Sequence, residues 1–226
     1  MKPPEVIGHR GAPREAAENT LASFAIALDL GADGIELDVH VTADGVPVVH
    51  HDRRLRSRGA RIAGLSLAEL RASHEGVDVP TLDDVLKLVD GRCRLYVEVK
   101  APGAEQAVGE RVGPVRAWCA VHSFDHRIIA RVGELAPGLP RGILMVSYLM
   151  DPIAAMESVG ARDLWQQADT VDQPLIELVH RHGGRVIAWT VNDADRAREL
   201  LGWGIDGLCT DTAREIGPVV RRSAGA

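Results

Sequence analysis

The chain has 226 residues and a formal net charge of −6, with 46% hydrophobic and 26% charged residues. That balance excludes a disordered or fibrous chain and fits a globular protein with a sizeable core. The acidic excess removes any broad attraction to nucleic acid or an anionic membrane, so an anionic ligand has to be met by local basic groups.

The N-terminus runs directly into a strand pattern with no cleavable apolar leader, and no apolar run reaches the roughly 18 residues of a membrane span. A cytoplasmic location without a membrane span is expected. Cys93, Cys119 and Cys209 are widely spaced in apolar surroundings, which predicts buried thiols in a reducing compartment rather than disulfides. Short β-branched runs alternate with stretches of helical period, the pattern of repeated βα units. Strands are predicted over residues 5–9, 34–40, 95–100, 119–124, 142–146, 163–167, 186–191 and 207–211. Helices are predicted between them, over 20–30, 82–89, 128–135, 174–182 and 193–203. Thr20, Thr81 and Asn192 offer capping oxygens, and Gly31 and Gly183 suit helix stops.

Parallel strands each followed by a helix close into a (β/α)8 TIM barrel. The first turn, His9-Arg10-Gly11-Ala12-Pro13, is not the glycine-rich phosphate loop of an open doubly wound sheet. One barrel domain over 1–226 is expected, with a frayed tail at 221–226. One segment breaks the rhythm. Asp44-Gly45 is a hairpin-turn dipeptide, residues 45–52 read as a second, hairpin-like strand, and 53–80 form a longer excursion. Long loops after barrel strands usually carry function, because the active site sits at the strands' C-terminal ends.

The polar residues with chemical potential fall at those ends. His9 and Arg10 close the first strand, Glu36 and Asp38 lie in the second, and Glu98 and Lys100 close the third. Alternation puts Glu36 with Asp38, and Glu98 with Lys100, on the interior face of each strand. Buried neighbouring carboxylates are costly unless a cation neutralises them. Glu36, Asp38 and Glu98 therefore suit one hard divalent cation, Mg²⁺ or Ca²⁺, better than zinc. The same groups could instead pair with Arg10 and Lys100 in an ionic network that holds no metal. His9 and His51 each end an apolar run and titrate near neutral pH, which makes them the acid/base candidates. His50 should point away from the mouth if His51 faces it. His40, His74, His122, His126, His180 and His182 read as surface or packing residues.

The ordered set His9-Arg10-Gly11, Glu18-Asn19-Thr20, residues 31–39, Thr42-Ala43-Asp44-Gly45 and His51-Asp52-Arg53 resembles the glycerophosphodiester phosphodiesterase family. Pro80-Thr81-Leu82, Val97-Glu98-Val99-Lys100, Ser123-Phe124-Asp125, Trp189-Thr190-Val191-Asn192 and Gly204-Ile205-Asp206-Gly207 extend the similarity over nearly the whole chain. The resemblance implies a (β/α)8 barrel in which His9 and His51 do acid/base work and Glu36, Asp38 and Glu98 hold the metal. Arg10 and Lys100 would bind phosphate. Trp189 matches an aromatic residue near the glycerol side of the substrate, or else it is a core tryptophan. Asn19, Asp211 and Ser123 are implied to brace the mouth.

The implied substrate is a small glycerophosphodiester. Ala17 stands where a proline is common, and Arg56-Ser57-Arg58 replaces the usual Arg-Thr-Thr, but neither touches the chemistry. The short 53–80 excursion implies loose recognition of the alcohol and a preference for water-soluble diesters. Two rival readings stand beside this one. A lysophospholipase D or sphingomyelinase D-like activity would be favoured by an exposed apolar rim. A catalytically silent barrel could bind phosphorylated metabolites or a protein partner, but both histidines and all three carboxylates argue against silence.

Overall fold

The structure is a computed structural model that describes residues 3–55, 59–73 and 79–223. Its strands are β1 (Glu5–His9), β2 (Gly34–Val41), β3 (Pro47–Val49), β4 (Arg94–Val99), β5 (Cys119–Ser123), β6 (Arg141–Met145), β7 (Asp163–Gln167), β8 (Arg185–Trp189) and β9 (Gly207–Thr210). All but β3 are parallel and pair in chain order. β1 pairs with both β2 and β9 and so closes the eight-stranded barrel. The antiparallel β3 pairs with the C-terminal end of β2, Val39 opposite Val49. The outer helices and the short helix of the excursion are α1 (Leu21–Asp29), α2 (Leu67–Arg71), α3 (Leu82–Val89), α4 (Glu105–Val112), α5 (His126–Leu135), α6 (Pro152–Ser158), α7 (Gln173–Arg181), α8 (Ala194–Gly202) and α9 (Ala213–Ser223).

Short polar side chains start the helices. Thr20, Thr81, Asp125, Asp151, Asp172 and Asp193 each accept a hydrogen bond from a first-turn N–H, a contribution of about 1 kcal/mol per cap. The cap of α8 is Asp193 and not Asn192, whose amide is spent on Asp211. Residues 221–223 complete α9 instead of fraying, and 224–226 lie outside the described residues. Pro218 inside α9 conceals that helix from a periodicity reading, since proline normally breaks a helix interior.

The strands' outward faces and the helices bury two large apolar clusters, one around Phe24, Leu37 and Val97, the other around Leu164, Ile176 and Leu208. The inward faces make a third, with Ile7, Tyr96, Trp165, Ile187 and Cys209 filling the barrel. Tyr96 and Trp165 meet edge to face at 5.1 Å, and they fit because glycines stand opposite them. A Cβ at Gly34 would come within 2.9 Å of the Tyr96 ring, and one at Gly142 within 2.9 Å of the Trp165 ring. Within the 53–80 excursion, Leu55, Ile62, Leu70 and Val79 form a satellite core with Val48 of β3. Residues 56–58 and 74–78, including His74, lie outside the described residues. Among the described residues no helix is long and apolar enough to cross a membrane.

The packing of the barrel floor gives a first test. Gly142→Ala should destabilise the protein by about 1–3 kcal/mol, the range for overpacking a filled core. Gly202→Ala, with nothing within 4 Å of its added Cβ, should lose no stability. Urea midpoints of the two variants check this, and equal midpoints would show that the floor is not tightly packed.

Candidate active site

The site is built where the parallel strands end. His9 ends β1, and Arg10 follows it in the left-handed region at φ 57°. β2 carries Glu36 and Asp38 on its inner face, and both are buried. β4 brings Glu98 into register with Asp38, and β5 brings His122 into register with Glu98. Lys100 lies one residue beyond β4. His9, Arg10, Glu36, His51, Glu98, Lys100, His122 and Trp189 line one cavity of about 90 Å³, floored by Leu144, Trp165 and Cys209. Phe124 also lines it and meets Trp189 edge to face at 5.4 Å.

Charge balance dominates the geometry. Asp38, only 1% exposed, has Arg10 Nε at 3.1 Å and Lys100 Nζ at 3.2 Å, and it accepts a hydrogen bond from Asn19 Nδ2 at 2.8 Å. Burial opposes ionisation of Asp38, but Lys100, Arg10 and Asn19 outweigh it and hold the carboxyl at about 2. Lys100 Nζ also sits 2.8 Å from Glu98 Oε1. Glu36 has less help. The Arg10 N–H donates to its Oε2 at 3.2 Å, and His122 Nε2 lies 3.8 Å from Oε1. Burial, followed by the charge of Asp38, pushes Glu36 up to about 7. Burial likewise pushes Glu98 up to about 7, against the opposing pull of Lys100.

Both candidate histidines are oriented by a carboxylate. His9 Nδ1–H donates to Asp211 Oδ1 at 2.7 Å, and His51 Nδ1–H donates to Asp52 Oδ1 at 2.8 Å. Fixing Nδ1 this way sets the tautomer and leaves Nε2 as the nitrogen able to take up a proton. Burial disfavours the His9 imidazolium, yet the Asp211 hydrogen bond and the Glu36 charge raise its pKa above the ordinary value. Asp211 is itself held by Asn192, through Nδ2 at 2.7 Å and through its own N–H to Asn192 Oδ1 at 2.8 Å. His40 Nε2–H donates to the His51 carbonyl at 3.2 Å, and His50 turns its Nδ1–H to the Asp52 carbonyl.

The eight side chains singled out in the sequence come together, save that Asp38 is held by Arg10 and Lys100 and does not itself line the cavity. His122, read there as a surface or packing residue, stands inside the barrel beside Glu36 and Glu98. It shares a strand face with Phe124, and the alternation applied to Glu98 and Lys100 would have placed it inward. An apolar rim also escaped notice. Phe124, Val146, Tyr148 and Met150 stand exposed after β5 and β6, Met150 at 99%.

Fold and mouth define a barrel enzyme whose chemistry suits an anionic, oxygen-rich substrate. The model of the Glycerophosphoryl diester phosphodiesterase family matches residues 9–215. A glycerophosphodiester phosphodiesterase of Caldanaerobacter subterraneus subsp. tengcongensis is 29% identical over 237 residues, spanning 96% of this chain and 98% of its own. A phosphodiesterase of Oleispira antarctica, solved with the product sn-glycerol-3-phosphate, is 26% identical with a TM-score of 0.86 over 97% of each chain. The glycerophosphodiester phosphodiesterase of Thermotoga maritima is 27% identical with a TM-score of 0.85, over 97% of this chain and 99% of that one. The chain belongs to the glycerophosphoryl diester phosphodiesterase family and is a phosphoric diester hydrolase.

The Glu36 carboxyl has a folded pKa of about 7 against an ordinary 4.5. An acid raised in this way contributes stability below its unfolded pKa and loses it as pH rises through the folded value. In chelator-treated protein, Glu36→Gln should therefore gain stability relative to the parent as pH rises from about 4.5 to 7. Urea unfolding of both proteins across that window measures it, and a difference that does not change with pH would contradict the burial argument.

Proposed function

We propose that the protein hydrolyses glycerophosphodiesters to glycerol 3-phosphate and an alcohol, with His9 and His51 as the acid/base pair. The observation that carries this reading is the opening of both carboxylate-backed histidines onto one cavity with Arg10 and Lys100. The Oleispira relative, which holds sn-glycerol-3-phosphate, supports the product class. Arg10 and Lys100 bind and orient the phosphodiester, sharing its charge and the extra charge of the transition state. One histidine Nε2 takes a proton from the nucleophile, either water or the neighbouring glycerol hydroxyl whose cyclic phosphate water then opens, and the other returns a proton to the departing alkoxide. Asp211 and Asp52 keep those nitrogens aimed. Trp189 and Phe124 form the apolar wall against the carbon side of the substrate.

One divalent hard cation, Mg²⁺ or Ca²⁺, held by Glu36, Asp38 and Glu98 completes this reading. Glu36 and Glu98 fit such an ion, since burial pushes both up to about 7 without it, and Asp38 would join them by giving up its pairing with Lys100. When bound, the cation neutralises charge on phosphoryl oxygens.

The exposed rim of Phe124, Val146, Tyr148 and Met150 gives the lipid reading one specific point in its favour. Set against it is the net charge of −6, which offers no attraction to an anionic bilayer. Soluble diesters remain the preferred substrates. A comparison of kcat/KM for glycerophosphocholine, glycerophosphoethanolamine and lysophosphatidylcholine decides between them, a clear lysolipid preference overturning the soluble reading.

Replacing His9 or His51 by alanine should lower kcat by about 10²–10⁴-fold with the fold retained, the range for a positioned acid or base. His50→Ala should cost little. Near-normal turnover in His51→Ala would remove it from the mechanism, and full activity in excess chelator would remove the cation.

A further inference from the structure

We propose that His122 is a nitrogen ligand in the cation site, and that the site therefore prefers a first-row transition ion such as Mn²⁺ or Co²⁺ to Mg²⁺ or Ca²⁺. The proposal rests on the cation reading above and adds a donor that the carboxylate set lacks. Glu36, Glu98 and His122 each offer a ligand atom, and these atoms all lie within 4.8 Å of one another. Two donors bound about 2.1–2.4 Å from one ion stand no more than about 4.8 Å apart, so the three groups meet the pairwise spacing that a shared ion requires.

No hydrogen bond explains the place of the imidazole among the described residues. His122 is 1% exposed, its Nδ1 has no hydrogen-bond partner among the described residues, and its Nε2 comes no closer to Glu36 than 3.8 Å, beyond hydrogen-bond range. Buried polar groups almost always find partners, and an orphaned ring nitrogen deep in a barrel is costly unless something completes it. A packing role would be met better by an apolar side chain of similar size. The ring is also held in place. It stacks on Trp165 with centroids 4.2 Å apart and planes 12° from parallel, and strand register sets its backbone beside that of Glu98.

Donor chemistry then sets the ion. Mg²⁺ and Ca²⁺ take oxygen ligands almost exclusively, whereas imidazole with carboxylates suits the divalent first-row metals, in rising affinity from Mn²⁺ through Co²⁺. The floor of the site thus acts as a selectivity element, and a buried β5 side chain provides it.

The test uses the full chain stripped of metal by chelation. Calorimetric titration with Mn²⁺, Co²⁺, Mg²⁺ and Ca²⁺ should show Mn²⁺ binding at least about tenfold tighter than Ca²⁺. The electron spin-echo spectrum of the Mn²⁺ complex should show nitrogen modulation in the parent and in His9→Ala, and none in His122→Ala. If His122→Ala fails to fold, the parent and His9→Ala spectra together with the affinity order still decide. Equal or tighter binding of Ca²⁺ without nitrogen modulation overturns the His122 ligand and leaves the three-carboxylate site standing. Modulation lost in His9→Ala and kept in His122→Ala overturns it as well. Binding of none of the four ions overturns the cation site and its histidine ligand together.

Discussion

Three acidic side chains pointing into one low-dielectric barrel mouth form the constraint around which the rest of the molecule is arranged. Glu36, Asp38 and Glu98 repel one another and lose hydration on burial, and each needs cations or donors close by. The turn after β1 exists in the form this demands. Arg10 sits at φ 57°, a conformation that costs a non-glycine residue about 1 kcal/mol or more. In return its backbone N–H reaches Glu36 and its guanidinium reaches Asp38. Ser23 at the start of α1 locks that turn, accepting from the Ala12 N–H and donating to the Arg10 carbonyl. A Cβ on Gly11 would fall 2.4 Å from the Ser23 hydroxyl. Asn19, also left-handed at φ 58°, spends its amide on Asp38.

The barrel keeps this charged mouth apart from a second ionic cluster at its opposite end. There Glu5 pairs with Arg94 and Arg185 and takes the Tyr96 hydroxyl, while Asp163 pairs with Arg162. Between the two lies the apolar floor of Ile7, Trp165, Ile187 and Cys209. Water is excluded from that layer, so mouth charges are screened poorly and interact strongly. The floor thereby links packing to chemistry, for a looser floor would admit water and relax the raised Glu36 and Glu98 carboxyls. It also explains why Cys209, although it lines the cavity, is no nucleophile. Burial and then the charge of Glu36 drive its thiol pKa well above the ordinary value, and the thiolate is the reactive form.

The barrel was readable in the alternation of strand and helix patterns, and the mouth in acidic and basic residues recurring at strand ends. Glu36 with Asp38 and Glu98 with Lys100 declared themselves by spacing within single strands. What escaped depends on register between strands. His122 has no chemically matched neighbour in Cys119–Ser123, and it meets Glu98 only because β4 and β5 align those two positions. The His9 and Asp211 partnership spans the closure of β1 on β9, a contact that a linear reading cannot weigh. Four helices, α2, α4, α6 and α9, lie outside the predicted ranges, two of them for evident local reasons: α6 is only seven residues long, and α9 contains Pro218.

The two histidines are supported in physically different ways, and that asymmetry bears on how substrate choice is set. His9 belongs to the barrel wall, with its partner Asp211 held by Asn192 after the neighbouring β8. His51 sits between β3 and the excursion, is more exposed than His9, and takes its position from β3, from the satellite core of Val48, Leu55, Ile62, Leu70 and Val79, and from His40 on its carbonyl. A substitution in that satellite core acts on His51 first and reaches β2 only through the pairing with β3 and the His50 N–H bond to the Asp38 carbonyl. The charged half of the mouth is thus fixed by the closed sheet, whereas His51 rides on a separately packed loop, where side chains can change at little cost to the fold.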